Sequence, residues 1–436
     1  MKKFIKLLGF IAIIAIFGLS VFSCASFYKD ITYPTNLKAN KQEEVPFSTL
    51  LSRAEAGDAE AQVAVGLVYK NGRKDIPVDY FKAYEWFAKA EQQGNSEAMY
   101  QIGNMHSNGQ IGPLAYNFIE NLLEPRIKLP PINYSKAIEW YQKASNLNHT
   151  GAQNNIGNVY AMKWQNGREV RPNYPEAIKY YQKAANNGNG YAMANLMYAY
   201  YSGEGVKKDL DEARKWYEKA LALEDIEIIY HLGCVFNGIN GYEAIKLFRI
   251  AADLEHAGAQ FILGNAYANG NVVKKDKNEA TRWFRLAAAS GDAYLNYEIA
   301  RIFYLGLIAN RDQNEALKLF RLAAENGDAQ IQYLVGYFYS YINYHEEAFK
   351  LYNKVAKEGR SMLLMNENNC WIYYWANQII RNMYIKGQGV PRDVNEAEKW
   401  GSKLDGTVRS NFDGQRNFFQ PLFDECNARW IQINPQ

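Results

Sequence analysis

The chain contains few of the residues from which catalytic, metal and disulfide sites are built. It has four cysteines and five histidines among 436 residues. Beyond Cys24 an odd number of cysteines remains, so a fully paired disulfide framework is excluded. Cys370 and Cys426 could pair in an oxidising compartment, and the sequence leaves that open. Cys234 follows a glycine within a helical pattern and is interpreted as a small packed residue.

Motifs for enzymatic chemistry are incomplete wherever they begin. The histidines are scattered and lack metal-ligand spacing. Residues 345–347 start like a zinc-protease motif, but Phe349 stands where the second histidine is needed. Residues 26–29 match S-x-x-K without an accompanying K-T-G. We therefore expect a protein that is not an enzyme and binds no metal or cofactor.

The chain also lacks an excess of charge of one sign. It contains 49 basic and 46 acidic residues. Residues 1–23 hold three lysines and no acidic residue, so without that segment the two signs balance at 46 each. A neutral chain with interspersed charges has no electrostatic footprint for nucleic acid. We therefore expect no nucleic-acid partner.

The amino terminus has the layout of a secretory signal. Three lysines within the first six residues precede an apolar run over residues 7–22, and Cys24 follows shortly after it. This pattern predicts a signal peptide over residues 1–23. An uncleaved anchor and ordinary cleavage remain alternatives, although the run is slightly short for a bilayer span of about 20 residues.

Residues 21–24 resemble a bacterial lipobox, which implies a lipid on Cys24 and a membrane contact through that lipid. Ala25 stands where inner-membrane retention uses aspartate, so the resemblance implies the outer membrane, facing the periplasm. Residues 24–46 carry few large apolar side chains and are interpreted as a tether between the lipid and the rest of the chain.

A motif returns nine times along the remainder, at a spacing close to 36 residues. In each copy a first helical segment carries a small residue after an aliphatic one, and a second segment carries an alanine followed three or four residues later by an aromatic ring. The small-residue position is held by Gly66, Gly103, Gly157, Met197, Gly233, Gly264, Ala300, Gly336 and Arg381. Self-similarity at a fixed period predicts stacked supersecondary units.

The residue types explain how such units would pack. Ala98, Ile102 and His106 recur every four residues, which is one buried stripe of a helix. Glycine in a helix costs about 1 kcal/mol, so its recurrence predicts close approach of the partner helix. Trp216 and Trp283 are predicted to be buried between layers. Turns with a C-cap glycine and an N-cap side chain are predicted at Gly94-Asn95, Gly188-Asn189, Gly291-Asp292 and Gly327-Asp328.

The pattern resembles the Sel-1-like repeat, a longer relative of the tetratricopeptide repeat. Loop signatures stand at residues 203–206 with Asp209, and at 387–390 with Asp393. The resemblance implies an all-α, right-handed α-solenoid of about nine antiparallel helix pairs over residues 47–404, without strands. Repeat two carries an insertion at about 107–132, with an amphipathic pattern at 114–123, and residues 405–436 are interpreted as a C-terminal cap.

Two positions of the first helices are candidates for binding a partner. Two residues before the aliphatic position stand Tyr100, Tyr230, Phe261, Tyr297 and Tyr333. Two residues after it stand Asn104, Asn158, Tyr198, Asn265, Arg301, Tyr337 and Asn382. In tetratricopeptide-like solenoids these positions line the concave surface, where amides can hold a peptide backbone and tyrosines supply contact area. The alternative is that the rings pack between repeats.

The Sel-1-like resemblance implies a protein-interaction scaffold or adaptor without a shared reaction. We therefore expect a scaffold of the bacterial envelope that binds a peptide or protein on the concave face. One alternative is a periplasmic immunity protein that neutralises a secreted toxic effector. Another is an envelope enzyme related to cysteine-rich members of the family, although their paired cysteines are missing here.

Overall fold

A computed structural model describes residues 46–402, apart from 74–75, 77, 111–131, 166–167, 271, 307 and 363–366. The predicted signal peptide, the cap at 405–436 and nearly all of the tether and of the insertion lie outside the described residues, as do Cys24 and Cys426. Within the described part of the chain, no helix combines the length and apolarity needed to cross a membrane. The chain divides into two compact units, Met1–Ser290 with Ile299–Ala316, and Gly291–Glu298 with Leu317–Gln436.

The first unit contains thirteen complete helices and one short hairpin among its described residues. In chain order they are α1 (Phe47–Glu55), α2 (Ala59–Asn71), α3 (Tyr80–Gln92), α4 (Ser96–Ser107), α5 (Tyr134–Asn146), α6 (Thr150–Ala161), β1 (Trp164–Gln165), β2 (Arg168–Glu169), α7 (Tyr174–Asn186), α8 (Gly190–Ser202), α9 (Leu210–Leu221), α10 (Ile226–Asn237), α11 (Gly241–Asp253), α12 (Ala257–Asn269) and α13 (Lys277–Ala288). Parts of α14 (Ala293–Leu305) and α15 (Gln313–Asn326) complete it.

The second unit takes the start of α14 and most of α15. Four further helices follow: α16 (Ala329–Tyr341), α17 (His345–Met362), α18 (Glu367–Lys386) and α19 (Val394–Ser402). The pairs α2–α3 to α18–α19 are the nine predicted repeats, so the all-α solenoid class is confirmed. The preceding helix α1 packs Phe47, Leu50 and Leu51 against Ala61 and Val65 of α2.

The expectation that strands are absent is wrong at one loop. Strands β1 and β2 pair antiparallel, with Trp164 opposite Glu169, between the two helices of the third repeat. In the first repeat, Arg73 and Ile76 form an isolated bridge in the equivalent loop. Two-residue strands are too short to leave an alternating hydrophobic pattern in the sequence.

In the six repeats that carry glycine at the small-residue position, a ring of the second helix is inserted against that glycine of the first helix. A Cβ added at Gly103 would lie 2.5 Å from the ring of Tyr141, and one at Gly264 would lie 2.6 Å from that of Phe284. The predicted close approach is confirmed. The inserted ring stands four residues after the opening alanine. Where a tryptophan stands one residue earlier, as Trp283 does beside Phe284, the tryptophan lies next to the inserted ring.

The two tryptophans predicted to be buried are buried. Trp216 and Trp283 belong to the apolar core of the first unit, together with Leu263 of α12. Cys234 of α10 is half-buried and packs against the same core, as expected for a small packed residue. This core runs without interruption from the third repeat to the sixth, which accounts for the compactness of the first unit.

Most of the predicted turns are also present. Gly94, Gly188 and Gly291 have positive φ, as a C-cap glycine requires. Asn95 and Asn189 each accept a hydrogen bond from a backbone N–H of the helix that follows. The prediction for Gly327 is wrong, because its φ is not positive. The left-handed conformation is taken by non-glycine residues at the turns of three other repeats, at Asn148, Glu224 and Glu255.

Candidate partner-binding face

The candidate residues share one side of the first helices, which we call the ladder face. We call the position two residues before the aliphatic core residue the ring position, and the position two residues after it the amide position. Tyr100, Tyr230, Phe261 and Tyr297 at the ring position are all buried, and Tyr333 is half-buried. Their predicted exposure to a partner is therefore wrong for the first four.

The cause is a contact within each repeat. Every ring at this position packs against the ring that the second helix inserts beside the small residue, which is glycine in four of these repeats and Ala300 in the fifth. The ring centroids are 6.0 Å apart for Tyr100–Tyr141, 5.8 Å for Tyr230–Phe248, 5.6 Å for Phe261–Phe284, 6.0 Å for Tyr297–Phe320 and 5.7 Å for Tyr333–Tyr352. Aromatic pairs at such distances stabilise a core. The ring position therefore serves the fold.

Two of these rings are each covered by a histidine that belongs to the following repeat. His149 stacks on Tyr100 at 4.5 Å, and its Nδ1 accepts the backbone N–H of Ala152 at 3.0 Å, which caps α6. The ring proton therefore lies on Nε2, 2.9 Å from the carboxylate of Glu97. His256 repeats the arrangement on Tyr230, with a ring distance of 4.1 Å.

Sequence reasoning missed these histidine caps, although a signal was present. His149 and His256 stand directly before first helices, where other repeats carry the usual capping residues Asn95 and Asn189. Serine, threonine, aspartate and asparagine are the expected N-cap residues. A histidine at this place is therefore easily taken for a loop residue.

Two asparagines of the amide position are already hydrogen-bonded inside the protein. The Oδ1 atom of Asn104 accepts the hydroxyl of Tyr141 at 2.8 Å and the amide of Asn155 at 3.0 Å. Asn158 accepts the hydroxyl of Tyr181 at 2.9 Å and the amide of Asn195 at 3.2 Å. The amide bonds join consecutive first helices, so the oxygens of these two asparagines are satisfied within the protein.

The remaining candidates at the amide position are more accessible. Asn265 is half-buried beside Phe284, which has no hydroxyl, so its oxygen lacks the bond that Tyr141 gives to Asn104. Arg301 is half-buried as well. Tyr198, Tyr337 and Asn382 are exposed. The predicted set thus separates into an internal group and a group that a partner can reach.

A buried lysine, Lys70, lies on α2, which is the first helix of the first repeat. The Nζ atom of Lys70 donates to Oε1 of Gln101 at 2.7 Å, and the Gln101 amide donates to Glu97 at 2.7 Å. Burial lowers the pKa of Lys70 to about 8, while the charge of Glu97 acts in the opposite direction. Through Glu97 this network reaches His149, so it links three consecutive repeats.

Two histidines of the first helices are buried without forming a metal site. Desolvation lowers the pKa of His231 to about 4, and burial with the charge of Lys136 does the same for His106. Both are therefore neutral at physiological pH. In the part of the chain that the structure describes, no three histidine, cysteine or acidic side chains are grouped to hold a metal ion.

Among the described side chains, the most exposed aromatic residues on the ladder face lie on α16. Tyr337 is 55% exposed and Tyr341 is 61% exposed. They are four residues apart and therefore project from one side of the helix. The helix itself contains no charged residue. On α8, Tyr198 and Tyr201 form a less exposed pair of the same kind.

This chain is similar to several known proteins, at low sequence identity. The ERAD-associated E3 ubiquitin-protein ligase component HRD3A of Arabidopsis thaliana is 32% identical over 72 residues, which is 16% of this chain and only 11% of that relative. The crystal structure of c5321, a protective antigen of uropathogenic Escherichia coli with an SLR fold, is 24% identical over 82% of this chain and 78% of its own, with a TM-score of 0.36. The immunity protein Pa5087 of Pseudomonas aeruginosa is 16% identical over 53% of this chain and 81% of its own, with a TM-score of 0.34. Similarity at this level does not assign the function or the partner of any of these proteins to this chain.

The match to a repeat family covers most of the chain. The Sel1 repeat model fits residues 59–95, 96–119, 124–149, 150–189, 190–225, 229–256, 257–292, 293–328 and 373–403. Seven of these segments each correspond to one helix pair, 96–119 and 124–149 divide the pair α4–α5, and no segment covers the pair α16–α17. Proteins of this kind are protein-interaction scaffolds. The chain belongs to the Sel1 repeat family.

Proposed function

We propose that this protein is a non-enzymatic scaffold of the bacterial envelope that binds an extended segment of a partner protein on its ladder face. The observation that carries the proposal is the exposed pair Tyr337 and Tyr341 on the uncharged helix α16. Exposed tyrosines provide a large apolar surface with a polar tip, and they are enriched where proteins bind one another.

A polar side chain on α18, which contacts α16, suits the main chain of a bound segment. Asn382 is exposed on α18 in the same unit, and its amide can both donate to and accept from a peptide group. The half-buried ring of Tyr333 contributes indirectly, because its contact with Tyr352 joins α17 to the helix that carries the exposed pair. The recognition surface thus stands on a rigid support.

The test is the double substitution Tyr337→Ala with Tyr341→Ala in the full mature chain. A partner is first captured from membranes and identified, and its affinity is then measured by calorimetry. Truncated hot spots typically cost 2 kcal/mol or more, so we expect affinity to fall roughly thirtyfold. The melting temperature should hardly change, because both rings are exposed.

The matched control is Tyr242→Ala. Tyr242 is 73% exposed but lies on the second helix α11, away from the ladder face. It should leave affinity unchanged. Equal binding by wild type and the double variant would contradict the proposed face. A captured partner that is a secreted toxic effector would assign the scaffold the role of an immunity protein.

We further propose that the protein is anchored by a lipid on Cys24, on the periplasmic side of the outer membrane. The support is the lysine-rich start, the apolar run over residues 7–22 and the position of Cys24 shortly after that run. Radiolabelled palmitate should enter the wild type and not Cys24→Ala. Equal labelling of the two proteins would contradict the anchor.

A further inference from the structure

The loops between the two helices of a repeat lie side by side in the first unit. Nζ of Lys163, in the loop of the third repeat, lies 3.1 Å from Oε1 of Glu204 in the loop of the fourth. Helices α8 and α10 join the fourth repeat to the fifth. A Cβ added at Gly241, where α11 begins, would lie 2.9 Å from the side chain of Val272 in the loop of the sixth. We call this side the loop edge; it comprises the described residues between α6 and α7, α8 and α9, α10 and α11, and α12 and α13, with the helix ends next to them.

Five cationic side chains on the loop edge are exposed to solvent. They are Arg171, Lys207, Lys208, Lys274 and Lys275. In the part of the chain that the structure describes, no carboxylate forms an ion pair with any of the five. The charges of the mature chain balance as a whole, yet these five cations are gathered on one edge of one unit.

The loop backbone holds one lysine of each pair at an equivalent place. A Cβ added at Gly203 would lie 3.4 Å from Cβ of Lys208, and one added at Gly270 would lie 2.8 Å from Cβ of Lys275. The stem of each lysine therefore packs against the glycine that ends the first helix, while its ammonium group stays in water. The fourth and sixth repeats thus present their charge in the same way.

The nearby carboxylates do not cancel this charge. Glu204 is paired with Lys163, while Asp209 and Asp276 accept backbone N–H groups at the starts of α9 and α13. Asp211 remains on the first turn of α9. The other described carboxylates at the starts of these second helices, and of the next one along, form ion pairs: Glu176, Glu212, Glu243, Glu279, Asp312 and Glu315. Even with both capping aspartates counted in full, five cations stand against three carboxylates.

Exposed apolar side chains accompany the lysines of the fourth repeat. Tyr201 lies in the last turn of α8, and Leu210 is the first residue of α9. Nζ of Lys208 lies 5.3 Å from the centroid of the Tyr201 ring. Cations beside exposed apolar groups suit the surface of an anionic bilayer, where the cations meet the headgroups and the apolar groups enter the acyl boundary. An acidic protein segment would match the cations but would gain little from Leu210.

We propose that the loop edge of the first unit binds an anionic phospholipid surface. Four to eight lysines and arginines in a cluster are the usual requirement for such binding, and the loop edge supplies five. The cations contact lipid phosphates, and Tyr201 and Leu210 enter the interface. This surface is distinct from the ladder face and does not require a lipid on Cys24.

The experiment measures co-sedimentation of the full mature chain with phospholipid vesicles. The chain carries Cys24→Ala, so no covalent lipid contributes. We expect binding to phosphatidylcholine vesicles that contain about one third phosphatidylglycerol, and little binding to pure phosphatidylcholine. Binding should weaken as salt is raised from about 0.1 to about 1 M, because the Debye length falls from about 10 to about 3 Å.

Two double variants test the cations themselves. Lys207→Gln with Lys208→Gln should weaken vesicle binding about thirtyfold, since each cation near such a surface contributes a factor of about five. Lys274→Gln with Lys275→Gln should have the same effect. Glutamine keeps the Cβ that packs on the loop glycine, so circular dichroism should report unchanged helix content.

The matched control is Lys183→Gln with Lys219→Gln. These lysines lie in the last turns of α7 and α9, at the ends of those helices that point away from the loop edge. The control removes the same net charge, and we expect it to change vesicle binding by less than about twofold.

Equal vesicle binding by wild type and both double variants would overturn the proposal, and so would equal binding to neutral and anionic vesicles. Tighter binding to soluble poly-glutamate than to anionic vesicles, at equal negative charge, would also overturn it, because the ligand would then be an acidic protein segment. The palmitate test of Cys24 and the partner-affinity test can each fail without changing these results.

Discussion

Replacing Trp283 by alanine should lower the free energy of unfolding by about 3–5 kcal/mol, as for other fully buried aromatic residues. Trp283 is only 3% exposed and belongs to the core of the first unit with Ala259 and Leu263. Its Nε1 atom has no hydrogen-bond partner among the described residues. The loss of stability would therefore come from the lost packing contacts and from the cavity left behind. Denaturant unfolding followed by circular dichroism measures it.

The matched control is Trp283→Leu. Leu247 and Leu319 hold the equivalent position in the repeats before and after. Leucine fills part of the volume, so this variant should lose less than half as much stability as Trp283→Ala. A midpoint unmoved by Trp283→Ala would show that α13 does not bury this side chain. Because repeats couple mainly to their neighbours, unfolding of the alanine variant should proceed in more than one step.

Gly264→Ala should destabilise the protein by about 2–3 kcal/mol, within the usual range for an overpacked core. The new Cβ would lie 2.6 Å from Cε1 of Phe284, closer than any real contact. Phe284 is fully buried and cannot move aside easily. Alanine is the better helix former by about 1 kcal/mol, so the steric cost must exceed that gain. The measurement is again the unfolding midpoint.

Gly336→Ala provides the comparison for this effect. A Cβ at Gly336 would meet the ring of Tyr352 at 3.2 Å, so only a small shift is needed there. The gain in helix propensity should then offset most of the strain, and stability should change by less than about 1 kcal/mol. A stabilised Gly264→Ala protein would mean that the groove between α12 and α13 is wider than the structure shows.

The sequence predicted the repeat, the helix pairs and the glycine contact because each depends on spacing within one repeat. Gly103 and Tyr141 belong to a single helix pair, and their positions recur along the chain. The degree to which Tyr100 is buried could not be predicted in this way. Its burial depends on Tyr141 from the same repeat and on His149 from the next one.

The amide position shows the same limit at the level of single atoms. Asn104 and Asn265 occupy equivalent places, yet only Asn104 faces a tyrosine hydroxyl, because Phe284 replaces tyrosine in the sixth repeat. A sequence pattern that groups the aromatics together cannot separate the two cases. Likewise, Tyr341 was not predicted as a binding residue. It lies one helical turn beyond the two positions that recur among the repeats.

The bonds between Asn155 and Asn104, and between Asn195 and Asn158, also make two contacts between first helices specific for their neighbours. Glycine grooves and inserted rings are nearly alike in six repeats, so apolar contacts alone would let the first helix of one of them pack where another belongs. Leu67 holds the amide position of α2, and beside it Asn155 would lose its acceptor. An amide buried without a partner costs roughly 1–3 kcal/mol. These two bonds therefore disfavour wrong pairings of the first helices, while the rings and glycines supply apolar packing.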